Sequence, residues 1–277
     1  MTQQSKKLNI TMVGCGKMGA SMIHGWLAAN LINRAQILDP NDIDDSLSSH
    51  PDLFHVKLME SLFQEEKEHK TDVIILAVKP QIMDMICPQL QPILPNGIPV
   101  ISIAAGKCIA SFQNSLSATT PIIRTMPNTP AAIGKGMTAL CASNNVTDDH
   151  KTIATRLMDA IGQTTWIDDE AQMDAITAVS GSGPAYVFYL IEAMANAGEK
   201  VGLSKEQAMQ CARQTIIGAA ALAEHDAQTD AATLRQNVTS PGGTTQAALD
   251  VLMDGSLQNI MDKAIAAAHK RGKELAG

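Results

Sequence analysis

The sequence predicts an α/β first half, residues 1–163, with a doubly wound, mostly parallel sheet, and an all-helical second half, residues 164–277. Three observations predict it. Apolar strands alternate with helical stretches through the first half, the pattern that builds parallel sheets. A Gly14-Cys-Gly-Lys-Met-Gly19 loop follows the first strand directly. After Asp168 the strand signals stop, and two long segments are apolar on nearly every face.

Composition agrees. A chain of 277 residues holds two domains, each able to bury its own core. Apolar residues make up 45% but aromatics only 3%, so the interior is built from Ala, Ile, Leu, Val and Met. The net charge of -7, with no stretch that gathers Lys and Arg, excludes a nucleic-acid binder. The opening Met1 to Lys7 is short and polar and does not read as a signal peptide, and no apolar run reaches membrane-spanning length. Five scattered cysteines without a CxxC pair read as reduced thiols in a cytoplasmic protein. The seven histidines show no HxH or HExxH spacing, so no metal site is expected. The charge run Glu65 to Lys70 reads as a solvated helix face.

The elements follow in order. Leu8–Val13 is the first strand, and the helix after the glycine loop carries Met18, Met22, Ile23, Trp26 and Leu27 on one side. Strand, GxGxxG loop and helix in this order form the Rossmann-type dinucleotide fingerprint. Gly14 permits the tight turn, Gly16 lets a pyrophosphate approach the backbone, and Gly19 lets the helix lie close to the sheet. Cys15, Lys17 and Met18 complete that loop. A helix N-terminus could lower the pKa of Cys15, although a small residue is all the loop requires.

Ala35–Asp39 is the second strand, closed by Pro40. An acid at Asp39 accepts hydrogen bonds from the adenosine ribose and repels a 2′-phosphate, which leans toward NADH over NADPH. Asp39-Pro-Asn reads equally as a turn cap, and Arg34 and Asn41 remain available to a phosphate, so the choice between the two cofactors stays undecided. Asp72–Val78 is a continuous apolar run, as for a strand covered on both faces. It leads into Lys79-Pro80, a loop expected beside the cofactor together with Ala77 and Val78. In Pro99–Gly106, Ala104 and Ala105 are small enough for a nicotinamide to pass closely. Thr120–Met126 follows, then Pro127-Asn-Thr-Pro130, a rigid loop at a strand end, and the stretch Ala131–Ala142. Arg124 reads as an ordinary surface or interstrand ion-pair partner.

In the second half, Asp174–Ser180 is helical and Gly181-Ser-Gly-Pro-Ala185 interrupts, with Ser182 as a helix cap and Pro184 near the next helix start. Ala185–Met194 and Ala208–Ala223 lack a polar face and must be covered on all sides. A domain of this size cannot cover both alone, which implies an obligate homodimer. Gly198 and Gly202 bracket the loop between them, and Ser204 with Gln207 forms a capping-box pattern. Finally, Val238–Met253 holds a Gly-Gly turn, two threonines and a helix with Ala248, Leu249 and Leu252 as its apolar positions. Such a turn aims backbone N–H groups and a helix dipole at a small anion. Only Arg235 is close in sequence, so a carboxylate fits better than a phosphate. The simpler role for Thr244 and Thr245 is a helix cap.

Taken together, these pieces resemble the pyrroline-5-carboxylate reductases over almost the whole chain. The matching stretches are Gly14–Gly19, Ala77-Val-Lys-Pro80, Ser102-Ile-Ala-Ala-Gly106, Arg124-Thr-Met-Pro-Asn-Thr-Pro130, Ser180-Gly-Ser-Gly-Pro-Ala185 and Ser240-Pro-Gly-Gly-Thr-Thr245. The resemblance implies an NAD(P)H-dependent oxidoreductase that reduces a cyclic imino acid to L-proline. It also implies a dimer through the helical domain, assembled in some members into a decamer of five dimers. By position, Gly14 to Gly19 and Ala77 to Pro80 would contact the cofactor, and Ala104 and Ala105 would lie near the nicotinamide. Gly243, Thr244 and Thr245 would hold the substrate. Asp39 departs from the polar or basic residues common where NADPH is preferred, and Glu60-Ser61 stands where many members carry an Asn.

A protonated imine brings its own N–H proton, so hydride transfer to it needs no strong general acid. Val238–Met253 accordingly contains no His, Lys or Cys. Thr245 is the candidate for orienting the ring nitrogen. A β-hydroxyacid dehydrogenase shares the domain plan but needs an acid/base, and Lys200, Lys205 and Lys263 sit in no glycine-rich motif. A non-catalytic redox sensor would keep Gly14–Gly19 without needing Ser240–Thr245.

Overall fold

A computed structural model describes residues 6–66 and 70–276, without the side chains of 63–66 and 276. Residues 1–5 of the opening segment and 67–69 of the 65–70 charge run lie outside the described residues. The first unit runs β1 (Leu8–Val13), α1 (Lys17–Ala28), β2 (Ile32–Leu38), α2 (Asp45–Ser48), β3 (Leu53–Val56), α3 (Met59–Glu66), β4 (Val73–Leu76) and α4 (Pro80–Leu90). It continues with β5 (Val100–Ser102), α5 (Ile109–Ser115), β6 (Ile122–Met126), β7 (Gly136–Ala142), α6 (Asp148–Asp159), β8 (Gly162–Trp166) and α7 (Met173–Ile176), ending in a π-helical turn, Thr177–Gly181.

The eight strands form one sheet in the order β3-β2-β1-β4-β5-β6-β7-β8. All neighbours are parallel except β6 and β7. That reversal follows from the rigid Pro127–Pro130 loop, which enters a short 3-10 turn ending at Gly134 with φ 70. Strand β3 is four residues long with only Leu53 buried, too weak a pattern to read from sequence.

Alternation along the strands sorts the core into two layers. Met12, Ile37, Ile75, Ile101 and Leu140 pack with Met22, Ile23 and Trp26 of α1 and Leu157 and Met158 of α6. The indole N–H of Trp26 donates to the Leu157 carbonyl at 2.8 Å, so the largest buried ring is also hydrogen-bonded. On the opposite face Val13, Leu76, Val100 and Ile122 pack with Met83, Leu90 and Phe112. Among the described residues each layer has one fully buried aromatic ring, Trp26 or Phe112, and aliphatic, Met and Cys side chains make up most of the rest.

The chain divides into Met1–Gly181 with Ala268–Gly277, and Ser182–Ala267. The division therefore falls after Gly181 rather than at 163–164. β8 pairs with β7 from Gly162 to Trp166, and its ladder carries the chain through α7 as part of the sheet unit.

The second unit holds α8 (Gly183–Lys200), α9 (Lys205–His225), α10 (Ala231–Asn237), α11 (Thr244–Leu252) and most of α12 (Ser256–Ala276). α8 and α9 meet through Ala195, Ala208 and Ala212, with Ile191 and Met209 beside them. Gly198 lies inside α8 rather than in the following loop. A Cβ there would sit 3.2 Å from that of Ala208, so the glycine lets the helices touch. The Ser204–Gln207 capping box forms in both directions. Ser182 occupies the N-cap of α8, but its hydroxyl makes no capping bond, because its backbone is already helical (φ -87, ψ -19). With so small a core, Phe188 (59% exposed) and Tyr189 (70%) stand uncovered within the chain, beside Val187 and Leu190.

Candidate active site

The strand order reverses between β1 and β4, with β2 on one flank and β5 on the other. Open α/β sheets bind ligands at such a switch point, beyond the carboxyl ends of the strands. Four strand ends are laced together there. Gly14 N–H donates to Leu38 O at 2.8 Å, Ala77 N–H to Val13 O at 2.8 Å, and Ile103 N–H to Leu76 O at 3.1 Å. The Ser102 hydroxyl accepts from Ala104 N–H at 3.2 Å, turning the chain sharply after β5. Gly14 to Gly19, Asp39, Ala77 to Pro80 and Ala104 to Ala105 thus lie along one edge of the sheet.

The glycine loop separates what the fold needs from what a ligand needs. Gly14 has φ +92, and a Cβ there would lie 2.7 Å from Val78 and 2.9 Å from the Ala77 carbonyl carbon. A Cβ on Gly19 would lie 2.9 Å from Gly14 O. At Gly16 a Cβ would meet nothing within 4 Å, so no protein atom asks for glycine. Gly16 is also the N-cap of α1, with no side-chain cap and no acid in the first turn. Its open face and unmet first-turn N–H groups fit the pyrophosphate of a dinucleotide. Lys17 and Met18 begin α1 beside it. Lys79 is the N-cap of α4 and Pro80 its first residue, where a missing N–H costs little.

Asp39 is tied into this loop. Its Oδ2 accepts from Cys15 N–H at 2.7 Å, and its Oδ1 from Asn41 N–H at 2.9 Å and Asn41 Nδ2 at 3.1 Å. The Cys15 thiol is held up at about 11, first by burial and then by the charges of Asp39 and Asp44. The helix N-terminus does not lower it, because desolvation and two carboxylates act the other way.

Two polar residues brace the surrounding loops. Arg124, with its side chain only 5% exposed, pairs with Glu170 at 2.9 Å, and the same Glu170 oxygen accepts from Ile109 N–H. This joins β6, α5 and the segment after β8, so Arg124 is a buried structural ion pair and not a surface one. Asn128 donates from Nδ2 to Ser180 O at 3.0 Å and accepts from Met137 N–H at 2.8 Å. It fixes the Pro-Asn-Thr-Pro loop against the π-helical turn and β7. The prolines flagged this loop in the sequence, whereas Glu170 stands in a polar stretch with no motif. Gly106, at φ +74, packs against Leu275 O, where a Cβ would come within 2.9 Å. The end of α12 therefore rests on the loop that follows Ala104 and Ala105.

In the second unit, Gly242 has φ 71 and Gly243 N–H donates to Ser240 O at 3.0 Å, closing the turn. Gly243 is the N-cap of α11, without a side-chain cap or a first-turn acid. Thr244 and Thr245 are the first two helical residues, so neither is the N-cap. Thr239 is tied to the Arg235 carbonyl at 2.7 Å. Arg235 lines a cleft of about 360 Å³ with Gln236, Thr239 and Gln246. Among the described residues no group of His, Cys, Asp or Glu could hold a metal ion, and no helix is long and apolar enough to cross a membrane.

A doubly wound sheet with an uncapped glycine turn at its switch point, joined to a helical domain, defines an NAD(P)-dependent oxidoreductase. Residues 9–106 match the family described as NADP oxidoreductase coenzyme F420-dependent, and residues 170–275 the family described as pyrroline-5-carboxylate reductase dimerisation. The chain is 41% identical to the pyrroline-5-carboxylate reductase of Pseudomonas aeruginosa over 96% of each chain. A solved pyrroline-5-carboxylate reductase from Coxiella burnetii is 36% identical, with TM-score 0.90, covering 98% of this chain and 100% of that one. The Plasmodium falciparum pyrroline carboxylate reductase, solved with NADP bound, is 29% identical with TM-score 0.80, covering 98% of both. The chain belongs to the pyrroline-5-carboxylate reductase family.

Proposed function

We propose that the protein reduces the C=N bond of 1-pyrroline-5-carboxylate to give L-proline, the last step of proline biosynthesis. When bound, NADH or NADPH supplies the hydride. The Gly14–Gly19 turn holds the pyrophosphate, while Ala77–Pro80 and the small Ala104–Ala105 segment leave room for the ribose and nicotinamide. The Gly243–Thr245 turn binds the substrate carboxylate through first-turn N–H groups of α11. One observation carries this reading: α11 begins at a glycine with neither side-chain cap nor acid, which leaves its N–H groups for an anion. The Thr245 hydroxyl hydrogen-bonds the ring nitrogen and orients the ring. The protonated imine keeps its own proton as hydride reaches the neighbouring carbon, so no residue has to act as a strong acid.

The protein works as a homodimer through its second unit, as the dimerisation-family match supports, and five such dimers form a decamer. Its cysteines stay reduced in the cytoplasm. Oxidation of NAD(P)H is measured with pyrroline-5-carboxylate, with 2-oxo acids and without substrate. Turnover only with the imino acid is expected, and no turnover with it refutes the activity. Thr245→Ala is expected to lower kcat/KM roughly tenfold or more, the worth of one well-placed hydrogen bond. An unchanged value removes Thr245 from the site.

A further inference from the structure

The Asp39 carboxylate has more to do than cap a turn. It follows β2 immediately, and its backbone is pinned on both sides: Asp39 N–H donates to Val56 O at 3.1 Å, and His55 Nε2 lies 2.9 Å from Asp39 O. Asn41 supplies two donors to Oδ1, and Cys15 N–H supplies one to Oδ2. A carboxylate oxygen accepts about two hydrogen bonds, so one acceptor site on Oδ2 is left beside the glycine loop. That is a fitting partner for a ribose 2′-hydroxyl, and it repels a 2′-phosphate.

Three groups that could answer a 2′-phosphate near this edge, Asn41, Arg34 and Lys57, already have partners or lie at a distance. The Asn41 amide, a donor the sequence leaves open to a phosphate, is held on Asp39 through Nδ2. Arg34 pairs in register with Asn9 near the start of β1, and its guanidinium stacks on Phe54 at 3.6 Å. Asp39 lies five positions further along the chain, roughly 16 Å at the usual rise. Lys57, just beyond β3, has its ammonium on Asp42. Asp39, Asp42, Asp44 and Asp45 together make this corner strongly negative.

We propose that this protein selects NADH over NADPH and that Asp39 makes the selection, its Oδ2 serving the phosphate loop and the ribose together. The proposal rests on the reading of the chain as an NAD(P)H-dependent reductase. It deepens that reading by naming the cofactor and the residue.

The test is direct binding to the full-length protein, followed by nicotinamide fluorescence without substrate, for NADH and NADPH in parallel. The unmodified protein is expected to bind NADH at least roughly tenfold more tightly, the effect of one like-charge contact of about 1.4 kcal/mol. Asp39→Asn keeps an oxygen for Cys15 N–H and removes the charge. It is expected to narrow the ratio mainly by tightening NADPH, and added salt narrows it in the unmodified protein by screening. NADPH binding as tight as NADH in the unmodified protein overturns the proposal whatever the variant does. An unchanged ratio in a folded Asp39→Asn overturns the role of Asp39. Selective NADH binding without turnover of pyrroline-5-carboxylate upholds the cofactor assignment and refutes the substrate. If neither nucleotide binds, both fall.

Discussion

A methyl group added to Gly14 would press within 2.7 Å of Val78 on a backbone held at φ +92, whereas one added to Gly16 would meet only open space. The two glycines therefore answer to different demands. Gly14→Ala is expected to destabilise the fold by about 3 kcal/mol or more, from strain and overpacking together, with a lower Tm. Gly16→Ala is expected to leave Tm within a degree or two while weakening dinucleotide binding roughly tenfold or more, because the new carbon would enter the space proposed for the pyrophosphate. Calorimetry and a binding titration on the same samples separate them, and equal loss of stability in both variants refutes the distinction. Cys15 makes a second residue-level point. Its thiol is raised from 9.0 to about 11, so the reactive thiolate is scarce at neutral pH. Its alkylation, followed by peptide mapping, is expected to be slow at pH 7 and to rise about tenfold per pH unit up to about 11. Rapid labelling at pH 7 contradicts that.

At the scale of elements, helix starts divide the labour between folding and binding. α9 has a reciprocal capping box, Ser204 with Gln207, and needs nothing from outside. α1 and α11 start at Gly16 and Gly243 with no side-chain cap. A helix capped by its own side chains has few N–H groups to offer, whereas one begun by glycine offers most of its first turn. Ser204→Ala is expected to cost about 1 kcal/mol of stability without altering cofactor or substrate constants. A changed KM in that variant is the result that counts against a purely structural cap. The α8 and α9 contact obeys a different rule. Gly198 and three alanines bring the helix axes close, and the bulky side chains of α8 are left to face elsewhere.

At the scale of the whole molecule, the second unit cannot complete its own core. Phe188 and Tyr189 are more exposed than buried within one chain, and leaving such area in water forfeits about 25 cal/mol for each Å². Residues 170–275 match a dimerisation family, which supports self-association, and this apolar surface is where a second copy is expected to pack. Phe188→Glu would place a charge in that cover, at a cost of several kcal/mol. Sedimentation is expected to show a dimer or larger assembly for the unmodified protein and a shift to monomer for the variant. A variant that still sediments as the parent does places the interface away from Phe188.

How much of this was legible in the sequence differs by kind of information. The apolar strands β1, β2, β4, β5 and β6, the glycine turn and the capping box are local patterns. Strand period, the need for φ > 0 and helix capping act within a few residues, so the sequence by itself determined the fold class, the glycine turn after β1 and the reductase family resemblance. β3 escaped because its four residues carry one buried side chain, and the domain boundary moved because β8 belongs to the sheet through pairing with a strand some twenty residues earlier. The tertiary structure alone decided the partners of long-range polar groups. Arg124 found Glu170, Asn128 found Ser180, and Asp39 found Cys15 across the strand ends. The direction in which Cys15 shifts was decided there too, because desolvation depends on what packs around a thiol and not on its neighbours in sequence.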